Sequence, residues 1–385
     1  MMMLDSGRAG SQHGHEPRVV QLQISRYSRT LPTPDEPLEF LVALHMEGTA
    51  STWQHNTVLR PDDEQRVLAH IDDLRRWSAG LGMTPSTAKA AVDAIGCTLR
   101  DAFLGRQGRD VLAAMNPTAI LVMIDETIIH LPWEMMPDDT GAPLIQTPFS
   151  RVITTRVVAP QGRDLASEDP RVRVLAVENP TEDLAASERV LEVVNGLRDS
   201  NPGIEVEVNT LERARATRSG FLEAITGQDF DIIHFAGHGH FDSARAHDNA
   251  LVLADGRLTD DQVMKVSWSR PPFVVLNSSC ESARAGAGRR VVSKGRANGL
   301  AAAFIGRGVE AYIGHYFLVD DAAAAAFSGT FYDTLLNERN IGAAVQRARE
   351  VSMRSFGDDA DLTGFGAVFF GDAGGAARRD TATRA

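Results

Sequence analysis

The sequence predicts an α/β fold, a mostly parallel β-sheet flanked by helices. Three observations carry that expectation. From about residue 150 onward, strand-length apolar runs alternate with helical stretches of about 10–15 residues, the pattern of right-handed βαβ crossovers. Two of the runs, Asp231-Ile-Ile-His-Phe-Ala-Gly-His238-Gly239-His240 and Phe273-Val-Val-Leu-Asn-Ser-Ser-Cys280-Glu-Ser-Ala, stop at small-residue turns, one at a histidine and the other at a cysteine. Finally, 385 residues exceed the usual size of a single core, which gives two lobes or a domain plus a subdomain.

Residues 1–18 are polar, contain Gly, Ser and His and lack periodicity, so they read as a disordered arm in which His13 and His15 are solvated. A first strand is expected at 37–46, amphipathic helices near 62–79 and 85–115, a strand at 118–124, and Leu131-Pro-Trp-Glu packing after it. This N-terminal half, 36–160, carries no candidate nucleophile. The loop-like composition of 159–170 places a boundary near 160–170, although the first half is free to complete the same sheet. The second half, 170–373, then reads as strand 172–177, helix 184–198, strand 204–208, helix 213–226, strand 231–235, helix 258–266 and strand 273–277. It continues with helix 295–305, strand 309–313 and helices 320–337 and 340–354, before a disordered tail at 374–385. There is no internal repeat of solenoid period.

The histidine and cysteine at the two run ends suit a thiol nucleophile and its base. If the runs are neighbouring parallel strands, both side chains emerge at the carboxyl edge of the sheet, where open α/β folds place their chemistry. A free thiol with a pKa of roughly 8.5 is only a few per cent thiolate at neutral pH, so it gains from an imidazole that takes its proton. His238 is the expected base and Cys280 the nucleophile. Gly239 leaves its N–H unshielded by a Cβ and, with the N–H of Cys280, offers an oxyanion hole. No residue stands out as a third member orienting the imidazole; a backbone carbonyl suffices for a dyad. The alternatives at these positions are an inert turn histidine and a small buried thiol at a strand end.

A net charge of −12 argues against direct nucleic-acid binding, since phosphates are repelled unless a basic patch is segregated. Only Cys97 and Cys280 occur, which argues against reliance on disulfides and for a reducing, cytoplasmic setting. Cys97, in a helical pattern, reads as a packing thiol. No stretch reaches the ~20 apolar residues of a membrane span, and the start lacks a signal-peptide pattern. His234, His238, His240 and His247 with Cys280 make a conceivable zinc set, but His234 reads better as a buried histidine hydrogen-bonded to backbone, and His240 and His247 as loop residues. The dyad chemistry requires no metal or organic cofactor.

With these motifs on the page, the sequence resembles the CHAT domains of clan CD cysteine peptidases, relatives of caspases and separase. The resemblance rests on His234-Phe-Ala-Gly-His238-Gly239, Asn277-Ser-Ser-Cys280-Glu-Ser-Ala283, Leu131-Pro-Trp-Glu-Met-Met136, Leu253-Ala-Asp-Gly-Arg-Leu-Thr259 and Gly364-Phe-Gly-Ala-Val-Phe-Phe-Gly-Asp372. It covers roughly residues 36–373. It implies a caspase-like fold whose N-terminal half is pseudo-caspase-like, with His238 as base and Cys280 as nucleophile of an endopeptidase acting on protein substrates. Phe317-Leu-Val-Asp320-Asp321 resembles the family's Trp-x-Val-x-Asp motif, with Phe317 in place of tryptophan. In separase-like members the motif's last aspartate faces the basic side chain before the scissile bond. That role falls on Asp321 and implies cleavage after Arg or Lys, where a carboxylate pairs with a guanidinium. Equally open at this stage, Asp320 and Asp321 simply favour the positive N-terminus of the helix that starts there.

The segment Ser282-Ala-Arg284-Ala-Gly-Ala-Gly-Arg289-Arg290-Val-Val-Ser-Lys294-Gly-Arg296 is small and basic. Caspase-like enzymes are activated by cleavage in the linker after the cysteine. Arg289 and Arg290 are therefore expected processing sites of a zymogen, cut by itself or by an upstream protease, with a solvated basic loop as the plain alternative. The resemblance further suggests a bacterial defence or cell-death pathway and a regulatory partner protein. Two other function classes stay open: a catalytically idle scaffold or interaction module, and another thiol hydrolase such as an amidase.

Overall fold

The computed structural model describes residues 18–28, 33, 35–125, 127–153, 171–184, 192–197, 204–242, 249–285, 299–354 and 361–374. The strands are β1 Val19–Arg26, β2 Leu38–Met46, β3 Thr52–Leu59, β4 Ala119–Ile124, β5 Phe149–Ile153, β6 Arg171–Glu178 and β7 Glu205–Glu212. They continue as β8 Ile232–Ala236, β9 Gly239–His240, β10 Ala250–Leu253, β11 Gly256–Thr259, β12 Val274–Asn277, β13 Ala311–His315 and β14 Ala367–Phe370. Among the described residues, eleven of them form one sheet in the order β3-β2-β1-β4-β5-β14-β13-β12-β8-β6-β7, and β11-β10-β9 form a small second sheet. The large sheet is mostly parallel, with antiparallel pairs at β1–β2, β2–β3 and β13–β14.

The N-terminal half completes the same sheet, and it begins earlier than expected. The strand at 37–46 is second in order: β1 precedes it and lies between β2 and β4. Its alternation Val20-Gln21-Leu22-Gln23-Ile24 buries Val20, Leu22 and Ile24, a period-two signal overlooked beside the polar arm. β3 was missed because it is an edge strand whose side chains are largely exposed. The single helix expected at 85–115 is two, α2 Pro85–Phe103 and α3 Gly105–Met115, broken where Gly105 takes φ +57°. α1, Pro61–Ser78, buries Val67, Ile71, Leu74 and Trp77 on one face. The helix expected at 258–266 shortens to Asp260–Val263, because Gly256–Thr259 pairs with β10 instead. Residues 1–17 of the N-terminal arm, the boundary loop, the tail beyond 374, His247 and the segment carrying Arg289 and Arg290 lie outside the described residues, whereas Arg18, the arm's last residue, bonds Thr118 Oγ1 and Asn116 O.

The face opposite α1 and α2 is covered in the catalytic half by the helices Asp321–Glu338 and Ile341–Met353, whose Phe327, Phe331, Leu335, Ala344 and Val345 pack on Val174, Ile232 and Leu276. Buried arginines hold the two halves together at the β5–β14 junction, where a single register pair, Phe370 with Arg151, is recorded. Arg151 is buried and donates through Nε to Glu134 Oε1 at 2.9 Å, through Nη2 to the other carboxylate oxygen, and through Nη1 to Ile129 O at 2.7 Å. Arg349, equally buried, donates to Ala367 O of β14 and Phe149 O of β5, both at 2.9 Å. Burial pulls Arg349 down to about 10, with Glu134 opposing, so it is cationic at neutral pH. Glu134 belongs to the Leu131-Pro-Trp-Glu motif, which thus supplies the counter-charge for the seam.

Glu134→Gln leaves Arg151 buried without its counter-ion. A loss of about 3–5 kcal/mol of stability is expected in urea titration; a loss below about 1 kcal/mol would show that the seam tolerates the bare charge.

Candidate active site

β8 and β12 are adjacent and parallel, with Phe235 opposite Asn277. Each chain then leaves the sheet, and three residues later stand His238 and Cys280. The two turns touch: a Cβ on Gly239 would meet Cys280 O at 2.5 Å and Ser279 Oγ at 2.8 Å, so only glycine fits this approach. β9 begins at Gly239, and Val252 N donates to His238 O at 3.0 Å. Antiparallel pairing alternates bonded and non-bonded residues, so the Gly239 N–H faces away from β10. The Cys280 N–H donates to no other residue among those described.

A dense set of hydrogen bonds shapes the cysteine turn. Asn277 Oδ1 accepts from Ser279 N at 3.0 Å and Ser279 Oγ at 2.6 Å, while its Nδ2 donates to Tyr312 OH at 3.0 Å. Tyr312 OH donates to Ser282 O, and Ser282 Oγ to Asn277 O. Glu281, left-handed at φ +54°, donates its N–H to Phe317 O at 3.2 Å. Phe317 is buried, so this member of the Trp-x-Val-x-Asp-like segment is a packing residue whose carbonyl braces the turn.

His238 has a partner that sequence reasoning missed. Its Nε2 donates to Asp183 Oδ1 at 3.0 Å, where a backbone carbonyl had been the expected support. Asp183 sits in the loop after β6, preceded by left-handed Asn179 (φ +42°) and Glu182 (φ +62°). The buried Asn179 closes that loop by bonding both the N–H and the carbonyl of Leu184, and its own N–H reaches Ala236 O at 2.8 Å. Hydrogen bonding from Thr181, then from His238, holds the Asp183 carboxyl below the usual range. Asn179 next to Pro180 at a strand end was a readable turn signal; that the turn folds onto the histidine was not.

Burial pushes the Cys280 thiol up, and the Glu281 and Asp321 carboxylates add to the effect against the Val319 N–H, which donates to Sγ at 3.4 Å. The two aspartates predicted for substrate binding separate here. Asp320 caps the helix Asp321–Glu338 by accepting from Ala322 N and Ala323 N at 2.9 and 3.1 Å. Asp321 is exposed, influences the thiol, and takes part in no ion pair among the described residues. His234 is buried as expected, but hydroxyls hold it instead of backbone: Ser278 Oγ at Nε2 and Tyr332 OH at Nδ1, both at 3.0 Å. Burial, aided by His315, pulls it down to about 3, so it is neutral. His240 lies in β9 and is half-buried. Among the described residues, no group of three or more His, Cys, Asp or Glu side chains gathers as a metal site, and no helix is long and apolar enough to cross a membrane.

The CHAT domain family model matches residues 88–367. The chain belongs to the CHAT domain family. The fold is also similar to two crystal structures of the Saccharomyces cerevisiae separase–securin complex, with TM-scores of 0.57 and 0.52 at 10% and 11% identity, each over 92% of this chain. The CHAT chain spans 30% of those chains. A complex of Porphyromonas gingivalis RgpB pro- and mature domains matches at a TM-score of 0.43 and 12% identity, over 81% of this chain and 77% of that one. No curated protein matches in sequence. The likeness to separase is one of fold, so the α/β architecture is caspase-like.

Two measurements follow. In a Cys97→Ser background, alkylation of Cys280 by iodoacetamide should reach half-maximal rate above the ordinary thiol value of roughly 8.5; Asp321→Asn should lower that midpoint by removing a repelling carboxylate, and an unchanged midpoint would place Asp321 out of reach. Separately, His234 is depressed to about 3 and His315 to about 4, both chiefly by burial. The unfolded chain binds their protons from about pH 6.5 downward, so stability is expected to fall on acidification to pH 4, by up to about 2.7 kcal/mol per unit from this pair. His315→Leu should remove about half of that slope in unfolding titrations between pH 6 and 4.5.

Proposed function

We propose that this CHAT protein is a cysteine endopeptidase in which Cys280 is the nucleophile, His238 the general base and Asp183 the residue that orients the imidazole. The observation that carries the reading is the matched exit of the His238 and Cys280 turns from adjacent parallel strands, with Asp183 bonded to the histidine. With Nε2–H engaged by Asp183, the Nδ1 lone pair is the basic one and takes the thiol proton. The thiolate then adds to the scissile carbonyl carbon, and the N–H groups of Gly239 and Cys280 stabilise the resulting oxyanion. Collapse expels the amine, which leaves with the proton from His238. Water, deprotonated by the same imidazole, hydrolyses the thioester and restores the thiol.

Asp321 is the specificity residue of this reading: an exposed carboxylate beside the thiol, without an ion-pair partner among the described residues, suits an Arg or Lys side chain before the cleaved bond. Asp320 is committed to its helix cap, so its part is to place Asp321. In this reading the enzyme awaits activation, by cleavage at Arg289 or Arg290 or by a partner protein, in a cytoplasmic defence or cell-death pathway.

The test is cleavage of fluorogenic peptides bearing Arg, Lys, Asp or Leu before the reporter. Turnover of the Arg and Lys peptides is expected, lost in Cys280→Ala, reduced about 10²-fold or more in Asp183→Asn, and stripped of its basic preference in Asp321→Asn. Silence from every peptide, persisting after limited proteolysis between residues 284 and 296, would leave an idle scaffold as the better reading.

A further inference from the structure

The residue after the nucleophile is tied to the opposite half of the protein. Arg75, in the last turn of α1, donates through Nε to Glu281 Oε1 at 2.6 Å and through Nη2 to Oε2 at 3.3 Å, a two-point clamp across more than two hundred residues. Arg284 Nη1 reaches Oε1 from the other side at 2.5 Å, and its guanidinium stacks over Phe241 at 4.1 Å. The Glu281 side chain is only 15% exposed, so its charge needs these partners. Its backbone is left-handed, a conformation that costs a non-glycine residue about 1–2 kcal/mol and persists only where the surroundings impose it. Arg75 precedes the 88–367 segment matched by the family model, so that likeness assigns it no role.

We infer that Arg75 is a positioning residue for the nucleophile: the N-terminal half reaches through it to hold the Cys280–Glu281 turn in shape and to cancel the Glu281 charge beside the thiol. The inference rests on the reading of Cys280 as the reactive thiol. The charged groups that act on that thiol are Glu281 on its own turn and Asp321 at the start of the helix that follows Val319, and the opposing turn, which meets Cys280 O through Gly239, carries the titratable His238. Arg75 and Arg284 act through Glu281, and Asp320 is turned to its helix cap. Cancelling Glu281 therefore lowers the barrier to thiolate formation, since an uncompensated carboxylate at this distance repels the developing negative charge. This assigns the pseudo-caspase-like half a chemical task besides completing the sheet.

The experiment follows the rate of Cys280 alkylation by iodoacetamide against pH, in the full chain carrying Cys97→Ser, with thermal unfolding recorded alongside. Arg75→Gln is expected to move the midpoint upward, slowing reaction at pH 7 about threefold to tenfold. Arg75→Lys keeps the charge and should stay within about twofold of the parent. Arg75→Gln combined with Glu281→Gln should return the midpoint to the parental value or below, a rescue that a purely structural role does not produce. A profile for Arg75→Gln that superimposes on the parent, or a double variant as slow as the single one, overturns the inference. Glu281→Gln alone is the independent arm should Arg75→Gln fold poorly: its midpoint should drop, and an unmoved one counts against the idea. Alkylation needs no peptide substrate, so a chain that cleaves nothing yet shows these shifts sinks the peptidase reading and sustains the role of Arg75.

Discussion

The parallel register of β8 and β12 is the constraint on which the site depends. With Phe235 opposite Asn277, the two chains leave the sheet at one level, and three further residues on each side bring His238 and Cys280 to facing turns. A shift of one residue would turn every side chain of the strand to the other face and separate the pair. Asn277 converts that register into a rigid turn, because its one amide side chain satisfies Ser279 and Tyr312 together, and Tyr312 in turn holds Ser282. A buried polar network of this kind stabilises only when every member is paired, and here the members select a single shape for the cysteine turn.

Around this centre the two halves behave as one body. The β5–β14 seam relies on Arg151 and Arg349, whose charges are compensated by Glu134 and by main-chain carbonyls from both halves. Buried guanidinium groups are costly to desolvate, so they add specificity of docking more than net stability. Tyr316 makes a further link, donating its hydroxyl to His130 O across the halves. The cysteine turn is thus braced from its own sheet, from the following strand and from the N-terminal half.

Much of the fold was legible. Strands β4, β6, β8, β12 and β13 are continuous apolar runs because parallel strands are covered on both faces, and the helices between them keep a helical period. β1, β3, β5, β14 and the three strands of the small sheet, β9 to β11, were not read as strands, the first two and β14 for different reasons. β1 alternates next to a polar arm, β3 exposes its side chains at the sheet edge, and Ala367–Phe370 is four residues whose pairing partners lie far away in sequence. The family motifs found physical explanations only in three dimensions. Leu131-Pro-Trp-Glu is a seam counter-charge, Leu253–Thr259 is a hairpin with Gly256 at φ +132°, and Gly364–Asp372 carries the strand that joins the halves.

By itself the sequence determined the fold class and the family resemblance and singled out His238 and Cys280 as candidates, because hydrophobic period and turn chemistry are local properties written in neighbouring residues. It also named Asp321. What only the tertiary structure decided is which distant groups meet: Asp183 at His238, Arg75 at Glu281, and the split between Asp320 as a cap and Asp321 as an exposed carboxylate with no ion pair among the described residues. Those pairings are set by how strands and helices from separate parts of the chain pack, and contacts across tens to hundreds of residues leave no trace in local spacing.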